Sequence, residues 1–154
     1  MGRMLVYADR MSEADTALRQ AIALLPDAPL NHWNLALTLL FRGNKDAALA
    51  ELQSEPNAGL QSLGKAIVYY AMGRSSASDV AMADVEARMA TCCRFLVATG
   101  YAYRGEVDRA LEWLNRAYRE HDDALQRIKG HPLLTNLRSD PRYAALLRNM
   151  RLAD

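Results

Sequence analysis

Three histidines, two cysteines and a few clustered carboxylates are the residues that could do chemistry in this chain. His121 is followed by Asp122 and Asp123, which on paper offers a cation three donors. A metal ion needs three or four ligands converging on one point, and these three project to different sides of a helix end. They read as helix-capping residues. His32 falls in the first turn of a helix, where an exposed or partly packed ring is expected. Cys92 and Cys93 are adjacent and fall near a predicted helix start, a place that can lower a thiol pKa. No CxxC spacing occurs and no histidine is near in sequence, so the pair reads as two small apolar packing residues.

The same two cysteines bear on compartment. Neighbouring Cα atoms lie about 3.8 Å apart, whereas an ordinary disulfide spans about 5.5 Å. No disulfide framework is expected, which suits a reduced, intracellular protein. The sequence holds no GxSxG, GxxxxGK or GxGxxG, so the nucleophile elbow and the phosphate-cradling loops are absent. Glu106 and Asp108 sit at a helix start, where acidic side chains complement the dipole. No catalytic constellation and no cofactor are expected, and the chain reads as a non-enzyme.

Composition narrows the partners. Hydrophobic residues make up 51% of the 154, enough to bury a core, and 19 basic against 18 acidic residues leave a net charge of +1. That balance supplies no global field for nucleic acid or an anionic membrane. Arg138, Arg142, Arg148 and Arg151 outnumber Asp140 near the C-terminus, which reads as a solvated helical face. Charges or glycines interrupt every apolar run before the roughly 20 residues a membrane span needs. Met1 to Arg10 carries no apolar signal core. A cytoplasmic protein is expected.

The elements that would position these residues are set by an internal repeat. Ala36, Leu39, Gly43, Ala48 and Leu52 recur 30 residues later as Ala66, Tyr69, Gly73, Ser78 and Met82. They recur again 32 residues on as Ala98, Tyr101, Gly105, Ala110 and Leu114, and Ala14 and Leu18 precede Ala48 and Leu52 by 34. The pattern encodes a helical hairpin. A small residue midway along the first helix admits a close second helix. Glycine ends the first helix where a left-handed backbone is required. A small residue and then a large apolar one, four apart, line one face of the second helix. Helices are predicted near 1–9, 12–24, 30–42, 45–54, 59–72, 76–89, 92–104, 107–120, 123–129 and 141–150, with no strand. They pair as hairpins over 1–26, 29–56, 59–89 and 91–121, followed by a cap over 123–150, all within one domain over 1–154. Asp140 as N-cap and Pro141 at the first helical position open the last helix.

These residues resemble the tetratricopeptide repeat family, whose unit is about 34 residues. The best match is Val97 to Tyr118, VATGYAYRGEVDRALEWLNRAY, and the resemblance covers roughly 5–120. Two units depart from the pattern. Ser78 stands where alanine is usual, and the second helix of the second unit is cut short at Pro56. The stretch HPLLTNLRSDPRYAALLRNMRL is similar to the ends of bacterial proteins in which such repeats follow a regulatory or catalytic domain, as in transcriptional regulators and nucleotide cyclases. The first helix is short and begins at Met1, which reads as a piece of a longer protein or an N-terminal face covered by a neighbour.

The resemblance implies an all-α, right-handed superhelix of antiparallel hairpins whose first helices line a concave groove. Its lining would then be Tyr7 from hairpin one, Trp33, Leu37 and Phe41 from hairpin two, Leu63, Ile67 and Tyr70 from hairpin three, and Phe95, Thr99 and Tyr103 from hairpin four. Family members that grip an acidic C-terminus use cations there; only Asn34 fits that pattern here. An apolar groove calls for a cover. A protein or peptide partner would fill it with an amphipathic helix or extended segment. A second copy of the chain, as a homodimer, would also fill it, and so would the chain's own C-terminal segment.

Overall fold

The computed structural model describes residues 10–152. The helix expected over 1–9, Tyr7 included, lies outside the described residues. Among the described residues no strand occurs, and the fold is all-α. Eight helices follow in order: α1 Met11–Leu24, α2 Asn31–Phe41, α3 Lys45–Glu51, α4 Ala58–Ala71, α5 Ser75–Met89, α6 Arg94–Tyr103, α7 Val107–Arg119 and α8 Pro141–Asn149. Three 3₁₀ segments accompany them, Leu52–Ser54, Asp123–Gly130 and Pro132–Leu137. No helix among the described residues is long and apolar enough to cross a membrane.

Three local expectations are corrected. The helix expected over 45–54 ends at Glu51 and tightens into a 3₁₀ turn, because the chain must leave α geometry ahead of Pro56. The helix expected over 92–104 begins at Arg94, so Cys92 and Cys93 precede it. The stretch over 123–129 is a 3₁₀ segment, and Pro132 opens a second one that the periodicity did not signal.

The chain divides into two compact units, Met1–Val85 and Glu86–Asp154, with the division inside α5. The hairpins expected over 1–26 and 29–56 fall in the first unit, and that over 91–121 falls in the second with the cap.

In the first unit α2 is central, packed against α1, α3 and α4. Every residue from His32 to Leu40 is buried, as expected of a helix apolar on nearly all sides. It ends at Gly43, φ +85°, where Gly43 N–H donates to the Leu40 carbonyl at 2.9 Å and Asn44 N–H to Leu39 at 2.9 Å. That pair of bonds is the Schellman closure. The α4–α5 turn repeats it at Gly73, φ +75°, with bonds from Gly73 to Tyr70 and from Arg74 to Tyr69, both 2.9 Å. Ala48 and Ala66 are completely buried. Ser78 keeps the close approach that alanine would give, because its hydroxyl donates to the Ala66 carbonyl at 2.7 Å. Gly64 serves a different contact: a Cβ there would overlap the δ-methyl groups of Leu52, itself fully buried.

In the second unit α6 packs on α7 through the same closure at Gly105, φ +76°, with Ala98, Ala110 and Leu114 at zero exposure. Both C-terminal 3₁₀ segments pack on α6, and α8 packs on α7. Arg142 of α8 meets Asp108 near the start of α7 at 2.8 Å, and the Tyr118 hydroxyl donates to the Asn149 carbonyl near both C-termini at 3.2 Å. The two helices are therefore parallel.

Candidate functional site

Each hairpin that opens without its own cap is closed from its far end. Leu30 precedes α2 and Cys93 precedes α6; neither side chain caps the helix behind it. The exposed N–H groups at such a start need an acceptor. For α2 it is Glu55, just past the Leu52–Ser54 turn, which accepts from Trp33 N–H at 3.0 Å, Asn57 N–H at 3.1 Å and Leu30 N–H at 3.4 Å. Its carboxylate is 3% exposed. For α6 it is Asp122, beyond the end of α7, accepting from Phe95 N–H and Ala124 N–H, both at 2.9 Å. A second carboxylate near each second-helix end pairs with a side chain in the first turn. His32 Nδ1 lies 2.5 Å from Glu51, and Arg94 pairs with Glu120. The α4 start, by contrast, is capped locally by Asn57, which accepts from Leu60 N–H at 3.0 Å.

His32 is therefore not the exposed or partly packed ring its position suggested. It is 7% exposed, and its Nε2 lies 3.0 Å from the Pro26 carbonyl. A sequence signal for these closures existed. Glu51, Glu55, Glu120 and Asp122 sit at second-helix C-termini, where the dipole disfavours anions. An acidic residue there needs a partner, and an antiparallel first helix presents its N-terminus at that end.

The side chains expected to line a groove are placed unequally. Trp33 and Leu37 on α2 are 4% exposed, and Leu63 and Ile67 on α4 are fully buried. On α6, Phe95 and Thr99 have zero exposure. Phe41 and Tyr103 are half-buried, and Tyr70 is 41% exposed. Tyr7 lies outside the described residues. Asn34 is buried and its amide donates to the Leu30 carbonyl at 2.6 Å, so its polar atoms serve its own helix.

In the second unit the chain covers α6 with its own C-terminal segment. Leu133, Leu134 and Leu137 of Pro132–Leu137 are buried, and this segment packs along α6. The Asn136 amide donates to the Ala102 carbonyl at 3.0 Å and reaches that of Tyr103 at 3.5 Å. The amide thereby adds a side-chain donor at the helix end, where the Ala102 carbonyl also accepts from Gly105 N–H at 3.0 Å. His131 begins the segment. Its Nδ1 accepts from Leu133 N–H at 3.3 Å, and its ring meets Phe95 edge-on with centroids 5.3 Å apart. Burial, with help from the Arg127 charge, pulls the His131 pKa down to about 3. Sequence periodicity gave no hint of this segment because 3₁₀ turns carry no 3.6-residue pattern.

The remaining chemical candidates take structural positions. Asp122 caps, while His121 sits at φ +55° in the turn after α7. Burial pushes the Cys93 thiol up to about 12, with its neighbour Cys92 adding to the rise, so it is protonated at neutral pH and is no activated nucleophile. Among the described residues no group of three or more His, Cys, Asp or Glu side chains could hold a metal ion. Arg142 of the basic C-terminal stretch is engaged with Asp108 and Asp140, each at 2.8 Å. Comparison with family models, with curated proteins and with solved structures finds no match to this chain.

Proposed function

We propose that this chain is a non-catalytic, tetratricopeptide-like repeat scaffold that binds a protein or peptide segment by apolar burial against its first helices. The observation that carries this reading is the seating of Pro132–Leu137 on α6. A short segment with three buried leucines covers a first-helix face, and one side-chain amide meets the carbonyls at that helix's end. That is the chemistry of peptide recognition on a helical repeat, performed within the chain. In the first unit α2 and α4 have the same glycine-terminated ends, and there Phe41 and Tyr70 keep part of their rings in solvent. Those two aromatics are the partner's anchor points, in keeping with the weight aromatics carry at interfaces. Trp33, Leu37, Leu63 and Ile67 support them from within.

Affinity capture tests the reading, comparing the native chain with a Phe41→Ala/Tyr70→Ala variant of unchanged circular dichroism. Proteins enriched by the native chain and lost with the variant support it. Identical recovery contradicts it. A self-associated species in light scattering that dissociates in the variant assigns the same surface to a second copy of the chain.

A further inference from the structure

Asp15 of α1 holds two arginines at once. Its Oδ1 accepts from Arg19 Nε and its Oδ2 from Arg42 Nη1, each at 2.5 Å. Arg19 lies one turn further along α1, and Arg42 follows the last residue of α2. The carboxylate thus links one helix to the end of the helix packed against it. Its side chain is 13% exposed, whereas both arginines stand in solvent. Around the pair lies an open cleft of about 500 Å³, lined by Ser12, Asp15, Thr16, Arg19, Gln20 and Arg42. The five lining residues of α1 share one face, at i, i+3, i+4, i+7 and i+8.

The lining decides what the cleft can take. Each guanidinium has five N–H donors and gives one of them to Asp15; neither side chain bonds to another described residue. Two guanidiniums and one carboxylate leave a net charge of +1, ordered before any ligand arrives, so less ordering opposes binding. Donors outnumber acceptors, which calls for an anion rich in oxygen. A carboxylate fills one guanidinium fork with its two oxygens. A phosphate monoester brings three terminal oxygens and a charge of about −1.5 to −2 at neutral pH. Both guanidiniums already touch one carboxylate, so one phosphoryl group is large enough to reach both. No aromatic or aliphatic side chain lines the cleft, which leaves a nucleobase nothing to stack on. The Ser12 hydroxyl and Gln20 amide bond to no other described residue. The Thr16 hydroxyl donates to the Ser12 carbonyl at 3.2 Å and keeps lone pairs to accept with. These groups suit a hydroxylated body. We propose that the cleft binds a small phosphate monoester of the sugar- or polyol-phosphate class. Arg19 and Arg42 take the phosphoryl group, and Ser12, Thr16 and Gln20 take the hydroxyls. Recognition is reversible, with no bond made or broken.

The probes are glucose 6-phosphate and glycerol 3-phosphate, titrated into the full chain at constant ionic strength and read by ¹⁵N NMR. Saturable shifts are expected at the Arg19 and Arg42 Nε–H groups and at the α1 amides with at least one probe. Glucose and glycerol should give none, and inorganic phosphate should bind more weakly. Arg42→Gln, an exposed change whose fold is checked by circular dichroism, should lower affinity about 10- to 100-fold through loss of a charge-assisted contact. Arg19→Gln should do the same. No saturable shift with either probe would mark a solvated surface ion pair only and overturn the proposal. So would inorganic phosphate or a phosphoserine peptide binding as tightly as the better probe, or unchanged affinity in both variants.

Discussion

The Asp122 carboxylate accepts the backbone N–H of Phe95 at 2.9 Å across 27 residues of sequence. Glu55 stands in the same relation to Trp33 across 22 residues, at 3.0 Å. In both hairpins an anion placed at the unfavourable end of one helix dipole is stabilised by the favourable end of another. The bond also fixes how far the second helix runs before the chain turns, so it sets hairpin length as well as stability.

Removal of either carboxylate should therefore loosen a hairpin. Asp122→Ala is expected to cost about 0.5–2 kcal/mol, the range for a lost N-cap. Glu55→Ala, at a buried site that leaves backbone N–H groups unmet, should cost about 1–3 kcal/mol. Urea unfolding checks both, and Asn57→Ala gives the matching value for the locally capped α4. If Glu55→Ala leaves the urea midpoint unchanged, the closure contributes nothing.

Gly64 faces Leu52 where no Cβ fits. Gly64→Ala is expected to destabilise by about 1–3 kcal/mol through overpacking, despite alanine's better helix propensity. Leu52→Ala opens the space, so the double variant should be more stable than the two single losses added together. Strict additivity in a double-mutant cycle would argue against the contact.

Among the described residues five helix ends close through a residue with positive φ, and three of those residues are glycine. His121 and Arg151 take φ of +55° and +57°, with the matching bonds from Asp122 to Ala117 and from Leu152 to Leu147, both 2.9 Å. A side chain in this region costs about 1–2 kcal/mol. His121→Gly and Arg151→Gly should each raise stability by about 0.5–1 kcal/mol, part of the gain being offset by glycine's greater freedom when unfolded. Gly43→Ala should lower it by a similar amount. Thermal melts of the three variants give the signs directly.

His131 makes stability depend on pH in a stated direction. Its folded pKa is about 3, against about 6.5 for a free histidine. Between those values the unfolded chain binds a proton that the folded chain refuses. Stability is therefore whole above about pH 6.5 and falls by about 1.4 kcal/mol per unit as pH drops below it. His131→Asn keeps a side-chain acceptor for Leu133 N–H and removes the titration. Urea midpoints at about pH 7.5 and about pH 5 should fall less in this variant than in the native chain.

Much of this architecture was legible in the residues. Gly43, Gly73 and Gly105 announced left-handed helix ends because only glycine takes them without strain. Ala48, Ala66, Ala98 and Ala110 announced close approach because small side chains admit a second backbone. Two kinds of feature stayed hidden. The partners of Glu55 and Asp122 lie more than twenty residues away: an acidic residue at a second-helix end signals that a partner is needed, but no local pattern names which one. The burial of Trp33, Phe95 and Thr99 depends on what lies over α2 and α6. For α6 the cover is a 3₁₀ segment whose spacing carries no periodic signal. Gly64 carries no signal of its own in the sequence, and its role follows only from the Leu52 side chain packed against it.

The most direct measurement of the binding role is amide hydrogen exchange on the chain, alone and with the partner it captures. Slowed exchange is predicted at the ends of α2 and α4, around Phe41 and Tyr70, with α6 beneath Pro132–Leu137 unchanged. Protection confined to α6 or α8, with none around those two aromatics, would contradict the account.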